Sequence, residues 1–377
     1  MKKNVLARAI GLTSAAVALG FASSQAAAVE FEAGDVMLDV YGYARLNAVY
    51  DIDQDIGLDT QAGHFPYLFD NDNGRDGHFD ADAQQSRLGV TATHENGMSV
   101  TVEGDFRGGE FRLLRAYGEY GNWMAGRNWS NYTSFVGWTP TLDFDGLAGL
   151  AGIQDRAAQV RYTNGPWSFS LEDPNFQSVG GDEKQTLPVA TARYESALTP
   201  SVMFSAGALL QYLSYDEGSG GDDDDAVGMA GYVATDVSIT DAFTLHAVLN
   251  ATEGANGYLY RSGDSGFGGQ DAYRDGDSLE TIQGYGGTIG ASMDVGAGTL
   301  NAGYGLVKMD WDDYESDLGS GSANARVETN DNAFVNYQWH PIENVMLGVE
   351  YGYFQSELEG GGSEDAQRIM FASQYSF

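Results

Sequence analysis

Apolar and polar residues alternate along this chain in segments of about ten residues, a period that places successive side chains on opposite faces of a β-strand. The segment from Val36 to Tyr50 shows the pattern. Its even-numbered residues are mostly apolar, whereas Asp39, Arg45 and Asn47 occupy odd positions. Such a strand suits an apolar environment on one face and a polar environment on the other.

A membrane is the apolar environment that fits this pattern. Beyond the N-terminal apolar run, no apolar stretch approaches the ~18 residues that a helix needs to cross a bilayer. A closed barrel is the other structure that satisfies every backbone hydrogen bond in lipid. The 51 glycines, 22 tyrosines and 18 phenylalanines suit tight turns and aromatic strands, and the chain has no cysteine. The predicted fold class is therefore all-β, a transmembrane antiparallel β-barrel.

The N-terminus has the three regions of a secretory signal peptide. A basic start precedes an apolar run at 9–22, and small residues follow it. We expect residues 1–26 to be the signal, with cleavage after Ala26 or Ala28, because both sites have the small-x-small pattern. No Pro/Ser linker or change of composition divides residues 27–377, which predicts a single barrel domain.

Short turns alternate with long polar connections in the remaining sequence. Turn signals occur at 96–97, 121–122, 164–166, 199–200, 240–241, 296–298 and 341–344. The longer connections lie at 51–83, 107–110, 128–155, 174–186, 213–225, 252–282, 310–328 and 356–365. Short periplasmic turns and long acidic extracellular loops then join about 16 strands, enough to enclose an aqueous channel. Glycine weakens the pattern near 226–238 and 283–295, so 14 or 18 strands are alternatives.

Acidic residues are concentrated in the long loops, and the formal net charge is −35. This predicts a solvated acidic outer surface suited to high salt and argues against nucleic-acid binding. A calcium site is the alternative for one loop, because Asp51-x-Asp53-x-Asp55 resembles the start of a calcium-binding loop. Counted from Asp51, a calcium-binding loop has glycine at position six and glutamate at position twelve. Here the glycine is at position seven and no glutamate occupies position twelve, so we expect neither a metal ion nor a cofactor.

Arginines, by contrast, fall within the predicted strands and alternate with apolar residues. A guanidinium facing lipid at mid-bilayer would cost ~2–4 kcal/mol, so these side chains should line the lumen. Arginine binds carboxylates in a bidentate manner, which favours small organic anions as solutes. The alternative for any one of them is a structural pair with a lumen acid such as Glu103 or Glu350. The seven arginines are Arg45, Arg87, Arg115, Arg127, Arg161, Arg193 and Arg368.

Several sequence stretches resemble a known family of channels. They include Val40-Tyr-Gly-Tyr-Ala-Arg-Leu-Asn47, Gln85-Ser-Arg-Leu-Gly89, Phe111-Arg-Leu-Leu-Arg-Ala-Tyr-Gly-Glu-Tyr120, Ala125-Gly-Arg-Asn-Trp-Ser130 and the ending Gln374-Tyr-Ser-Phe377. The chain resembles the DcaP-like trimeric porins, which are associated with uptake of dicarboxylic and aromatic acids. The resemblance covers most of the first half of the chain.

The resemblance implies a homotrimer of sixteen-stranded barrels in the outer membrane of a Gram-negative bacterium. The loop around Trp129 to Asp145 would fold inward as the constriction, with Trp129, Asp143 and Asp145 at the narrowest part. The expected partners are outer-membrane lipid, lipopolysaccharide and small anionic solutes.

Two other functions compete with an anion-conducting diffusion porin. An outer-membrane enzyme needs a Ser/His or Asp/His constellation, but the five histidines are scattered in sequence and His246 is expected to be a solitary polar residue facing the lumen. We therefore expect no enzymatic activity. A general cation-selective porin is the second alternative, because Asp143, Asp145 and the acidic vestibule would oppose the arginines.

Overall fold

The structure is a computed structural model of the chain. It describes residues 29–57, 65–69, 76–152, 156–174, 176–179, 183–216, 223–264 and 267–377. The predicted signal peptide and parts of the first, third, fourth, fifth and sixth predicted loops lie outside these residues.

Strands account for most of the described residues. In chain order they are β1 (Val29–Ala33), β2 (Val36–Asp51), β3 (His78–Asp82), β4 (Arg87–His94), β5 (Met98–Asp105), β6 (Arg112–Tyr120), β7 (Trp123–Trp129), β8 (Arg156–Asn164), β9 (Trp167–Glu172), β10 (Ser178–Val179), β11 (Glu183–Lys184), β12 (Val189–Thr199), β13 (Val202–Asp216), β14 (Asp223–Thr240), β15 (Phe243–Glu253), β16 (Ala272–Asp275), β17 (Ser278–Thr281), β18 (Gln283–Val295), β19 (Gly298–Asp310), β20 (Val327–Ile342), β21 (Val345–Leu358) and β22 (Ser363–Ser376).

In the described parts of the chain, helical structure is confined to short segments between strands. Two α-helices, α1 (Asp312–Leu318) and α2 (Ser320–Ala323), and 3₁₀ turns at Phe65–Phe69 and Asn256–Tyr258 lie in connections. Among the described residues, none of the helices has the length and apolar character needed to cross a membrane.

Sixteen strands form a closed antiparallel β-barrel, which confirms the predicted fold class. Each barrel strand pairs with the next barrel strand along the chain. The last strand, β22, returns to pair with β2, from Tyr43 opposite Ser376 to Asp51 opposite Arg368. Closure leaves no barrel edge exposed to lipid, as a membrane-spanning sheet requires. The predicted turns fall between successive strands, and the short-turn end corresponds to the periplasmic side.

The alternation in sequence gives the barrel two different faces. On β2, Leu46 and Tyr50 point outward and are exposed in the isolated chain, whereas Arg45, Asn47 and Asp51 point inward and are buried. On β18, Ile289 is 63% exposed on the outer wall. The outer face is therefore apolar and faces lipid, and polar and charged side chains line the inside.

Two connections depart from the prediction that the acidic loops are solvated. Asp55 in the first loop and Asp271 near the end of the 252–282 connection are buried, and so is Asp51, which the sequence assigns to the first loop but which is the last, inward-facing residue of β2. The reason is that parts of both connections turn into the barrel, where the apolar residues Ile56, Phe65 and Leu259 pack in one buried cluster. The prediction of a solvated carboxylate was thus wrong for Asp51 and Asp55.

The lipid-facing assignment predicts the outcome of one pair of substitutions. Ile289→Arg places a charge at the centre of an outward strand and should lower the free energy of unfolding by ~2–4 kcal/mol. Ile342→Arg, at an equally exposed position beside a short turn, should cost only ~0–1 kcal/mol. Denaturant titration of both variants folded into phospholipid vesicles measures the difference, and equal costs would contradict the assignment.

Candidate channel constriction

One connection crosses the interior of the barrel. It joins β7 to β8, and its residues 130–152 are called the constriction segment below. Most of its residues are buried, although they belong to no strand or helix. The segment hydrogen-bonds to inward-facing side chains of many strands, among them Glu172 on β9, Asp236 on β14, Asn250 on β15, Asn332 on β20 and Glu350 on β21. Polar residues of the barrel wall thus satisfy backbone groups that water cannot reach.

Glycines on the inner face make room for this segment. A Cβ at Gly290 on β18 would overlap Thr139, and one at Gly305 on β19 would overlap the carbonyl of Ala148. At Gly348 on β21 it would lie 2.6 Å from Leu142 Cδ2. Inward-facing glycines, of which Gly290 lies in the weakly patterned stretch 283–295, therefore mark the path of the segment along the wall.

Aromatic side chains anchor the start of the segment. Tyr132 is fully buried; its hydroxyl donates to Asn250 Oδ1 at 2.7 Å, and its ring meets the edges of Tyr232 and Tyr258. Trp129, a predicted constriction residue, ends β7, and the guanidinium of Arg156 stacks 3.6 Å above its ring.

The acids of the constriction segment are neutralised by an arginine from another loop. Arg261 Nη2 lies 3.3 Å from Asp143 Oδ2 and 3.8 Å from Asp145 Oδ2, and all three side chains are at most 4% exposed. Burial alone would lower the pKa of Arg261, but the charges of Asp143 and Asp145 and the nearby Tyr260 outweigh it and raise that pKa.

Arg261 connects three inward-folded loops. Its guanidinium faces the rings of Phe65, from the first loop, and Phe354 on β21, and its carbonyl accepts a hydrogen bond from Asn330 Nδ2 at 2.8 Å. It has a positive φ of 65°, a conformation that non-glycine residues seldom adopt. The sequence does not reveal this role of Arg261, because the residue lies in a predicted polar outer loop.

The predicted pore-lining arginines fall into groups with different partners. Arg87 and Arg115 share the buried carboxylate of Glu103, with Arg115 binding both of its oxygens. Arg368 binds both oxygens of Asp51 at the seam between the first and last barrel strands, where its Nη2 donates to Asp51 Oδ2 at 2.8 Å. These three arginines are therefore paired with acids.

Three other arginines hold the backbone of the constriction segment and its approach. Arg161 donates to the carbonyl of Trp129, Arg193 to that of Thr133 and Arg45 to that of Leu142. Arg193 Nε also lies 3.9 Å from a Glu195 carboxylate oxygen. Within the described part of the chain, Arg45 and Arg161 form no ion pair with a carboxylate. The seventh arginine, Arg127 on β7, is half-buried.

Three of the wall arginines are more accessible than the acids of the constriction segment. The side chains of Arg87, Arg115 and Arg193 are 17%, 23% and 20% exposed. Those of Asp143 and Asp145 are 4% exposed. Six of the seven arginines lie on β2, β4, β6, β7, β8 and β12, which belong to one continuous run of barrel strands.

The calcium candidates have protein partners instead of a common centre. Asp51 binds Arg368, Asp53 accepts two hydrogen bonds from Gln367, and Asp55 accepts one from the amide of Gly57. Across the described ranges, no group of three or more His, Cys, Asp or Glu residues is arranged to hold a metal ion.

His246 is not the solitary residue that the sequence predicts. Its Nδ1 lies 2.6 Å from Asp236 Oδ1, and its Nε2 lies 2.9 Å from Ser292 Oγ. The three residues occupy β14, β15 and β18, so that strand pairing brings together positions that are distant in sequence.

Comparison with solved structures agrees with this architecture. The chain is similar to the outer membrane channel DcaP of Acinetobacter baumannii, with a TM-score of 0.78 and 25% identity over 92% of this chain and 99% of that one. It also resembles in fold an outer membrane protein of Vibrio cholerae, OmpT, with a TM-score of 0.58, 14% identity and coverage of 93% and 100%. It resembles in fold an anion-selective porin from Comamonas acidovorans as well, with a TM-score of 0.57, 14% identity and coverage of 91% of this chain and 100% of that one. No protein-family model and no curated protein sequence matches the chain.

The closed barrel and these similarities define an outer-membrane channel of the porin class, located in the outer membrane of a Gram-negative bacterium. The expected resemblance to the DcaP-like porins is confirmed.

Arg261 provides a test of how the constriction segment is held. Arg261→Gln leaves two buried carboxylates without their partner, which typically costs ~3–5 kcal/mol. We expect the segment to leave its position, with higher and noisier single-channel conductance in planar bilayers. Arg326→Gln, which removes the ion pair with Asp264 in a partly exposed loop site, is the matched control and should leave conductance unchanged. Identical traces for both variants would show that Arg261 does not hold the segment.

Proposed function

We propose that this protein is a diffusion porin that favours small organic anions. The observation that carries the proposal is the difference in exposure: the guanidiniums of Arg87, Arg115 and Arg193 are accessible from the lumen, whereas the constriction acids Asp143 and Asp145 are buried against Arg261. A solute passing the constriction segment would therefore meet the guanidinium groups of these three arginines but not the carboxylates of Asp143 and Asp145.

The energies involved are sufficient for selectivity. A unit charge pair at 4 Å is worth ~4 kcal/mol at an effective dielectric of 20, against ~1 kcal/mol in water. Two such contacts can offset part of the hydration that a carboxylate loses in a narrow pore. The planar guanidinium also matches a carboxylate in geometry. Dicarboxylic and aromatic acids, the solutes that the family resemblance implies, are the substrates that we propose.

A cation-selective general porin is the alternative function. Glu195 is 27% exposed beside Arg193, and Glu119 is exposed on β6, so that some acid also faces solvent on this side of the barrel. The acidic outer surface would further attract cations, an effect that salt screens within a Debye length of about 8 Å at physiological ionic strength.

Reversal potentials in a salt gradient distinguish the two functions. The wild-type channel should prefer anions, and the double variant Arg87→Gln, Arg193→Gln should shift the reversal potential toward cations because it removes two accessible positive charges. Block by a small dicarboxylate should weaken in parallel. Arg112→Gln is the matched control, since Arg112 pairs with Asp105 and is 47% exposed at the outer end of β6.

Two results would contradict the anion proposal. One is a cation-selective wild-type channel, and the other is a double variant with the selectivity and dicarboxylate block of the wild type. Either result would assign the accessible arginines to structural roles.

We also propose that the channel is a homotrimer whose interface is the wall from β6 to β9. Strands β7 and β9 have only 7 and 6 residues, fewer than the about 9–11 that a strand needs to cross a bilayer. Their outward residues include Phe169 and Leu171, which are half exposed in the isolated chain. Contact with neighbouring copies would cover this short wall, and lipid and lipopolysaccharide would surround the rest. The mature chain would begin after a signal peptide cleaved at Ala26 or Ala28.

The trimer interface predicts a position-dependent effect on assembly. Leu171→Arg should convert the trimer to monomer in mild detergent, measured by light scattering or native mass spectrometry. Leu249→Arg, on the long strand β15 and similarly exposed, should lower stability but leave the trimer intact. A monomeric wild type, or dissociation in both variants, would rule out this interface.

A further inference from the structure

Three residues of the barrel wall have the hydrogen-bond connectivity of a nucleophilic triad. Asp236 on β14 lies opposite His246 on β15 in the sheet, and Ser292 on β18 is one inward-facing position away from the residue opposite His246. The Asp236 Oδ1 to His246 Nδ1 distance is 2.6 Å, and the His246 Nε2 to Ser292 Oγ distance is 2.9 Å. With the proton on Nδ1, the ring accepts the serine proton at Nε2, which is the tautomer that a general base requires.

The three side chains differ in how far they are exposed to the lumen. His246 and Asp236 are 3% and 4% exposed, whereas Ser292 is only partly buried and faces the lumen near the short-turn end. The carboxylate of Asp236 is fixed further by a hydrogen bond from the amide of Gly137 in the constriction segment, at 3.0 Å. The base and the residue that positions it are thus shielded, and the nucleophile is accessible.

A polar group without a partner lies beside the triad. Thr139, also in the constriction segment, packs against Gly290, which is the residue opposite His246 on β18. The Thr139 side chain is 3% exposed, and its Oγ1 has no hydrogen-bond partner among the described residues. Strand amides are engaged in the sheet, so a side-chain hydroxyl is the donor that remains to stabilise an oxyanion at this position.

We propose that Ser292, His246 and Asp236 form a hydrolytic site in the lumen wall that acts on small carboxylic esters. In the first step Ser292 Oγ bonds to the carbonyl carbon, its proton moves to His246 Nε2, and Thr139 donates to the oxyanion. The C–O ester bond then breaks, and the leaving alcohol takes the proton from His246. Water, the second reactant, attacks the acyl group in the same way and releases the acid.

The location determines the class of substrate. The triad lies beneath the constriction segment, inside a channel proposed above to favour organic anions, so only a small solute reaches Ser292. The product of ester hydrolysis is itself a small organic acid. This activity is separate from diffusion through the channel, because the triad residues differ from Arg87, Arg115 and Arg193, the residues proposed to select anions.

Covalent labelling tests the nucleophile directly. Diisopropyl fluorophosphate is small enough for a porin lumen and forms a P–O bond with an activated serine as fluoride leaves. We expect one adduct on the folded wild-type protein, located at Ser292 by peptide mass spectrometry and absent from Ser292→Ala. Ser238→Ala is the matched control, since Ser238 lies on β14 two residues from Asp236 and contacts Thr244 instead of a histidine; it should be labelled like the wild type.

Further variants separate a base-assisted reaction from a structural hydrogen bond. His246→Gln should slow labelling by about 100-fold, the usual scale of general-base assistance. Asp236→Glu should keep more reactivity than Asp236→Asn because it retains the carboxylate that orients the ring. Thr139→Val should slow the release of 4-nitrophenol from 4-nitrophenyl acetate, and Thr139→Ser should restore it. Heat-dependent gel mobility confirms that each variant has folded.

The outcomes are decisive in either direction. Labelling at Ser292 that depends on His246, together with 4-nitrophenol release that depends on the Thr139 hydroxyl, supports the site. A folded wild-type protein that is not labelled, or labelling unchanged in His246→Gln, overturns it. If His246→Gln does not fold, the two Thr139 variants provide the test. Equal rates of 4-nitrophenol release in Thr139→Val and Thr139→Ser also overturn the proposal.

Discussion

Backbone hydrogen bonding in the absence of water is the constraint on which this structure depends. In the hydrocarbon layer every N–H and C=O group needs a partner within the protein, and the closed sheet provides one for each strand through its neighbours. Closure requires β22 to pair with β2, and at that seam Arg368 binds Asp51 across the two strands. The predicted lumen arginine furthest along the chain therefore supports the barrel itself. Closure also creates the second face of the sheet, a wet interior in which charged residues are tolerated.

The same requirement governs the interior. The constriction segment has no secondary structure, so its backbone groups depend on side chains of the wall: Glu350 accepts hydrogen bonds from the amides of Leu142 and Asp143, and Arg45 donates to the carbonyl of Leu142. Charged residues that look like solute ligands in the sequence thus have structural partners. What remains for solutes is the set of charges that the segment leaves exposed, and the arginines Arg87, Arg115 and Arg193 in that set support the proposal of an anion channel.

The interior also brings together groups with different chemistry. Asp236 accepts hydrogen bonds from both His246 and Gly137 of the constriction segment. The position of the segment and the hydrogen bonding of the histidine are therefore linked through one carboxylate. Gly290 contributes by its lack of a side chain, because only a glycine lets Thr139 lie against β18 at that point. Conduction and the proposed chemistry at Ser292 thus rely on the same packing between loop and wall.

The sequence by itself determined the barrel class, because alternation with a period of two and short turn signals are local properties. It predicted about sixteen strands, with 14 or 18 as alternatives, and it favoured an outer-membrane location. It also placed residues such as Arg45 and Arg87 on the inner face. It could not show that Arg261 neutralises Asp143, or that Asp236, His246 and Ser292 meet. Those contacts join loops or strands distant in sequence, and they depend on strand register and on how three connections share one lumen. Only the tertiary structure decides which inward charges remain accessible, because burial is set by that packing.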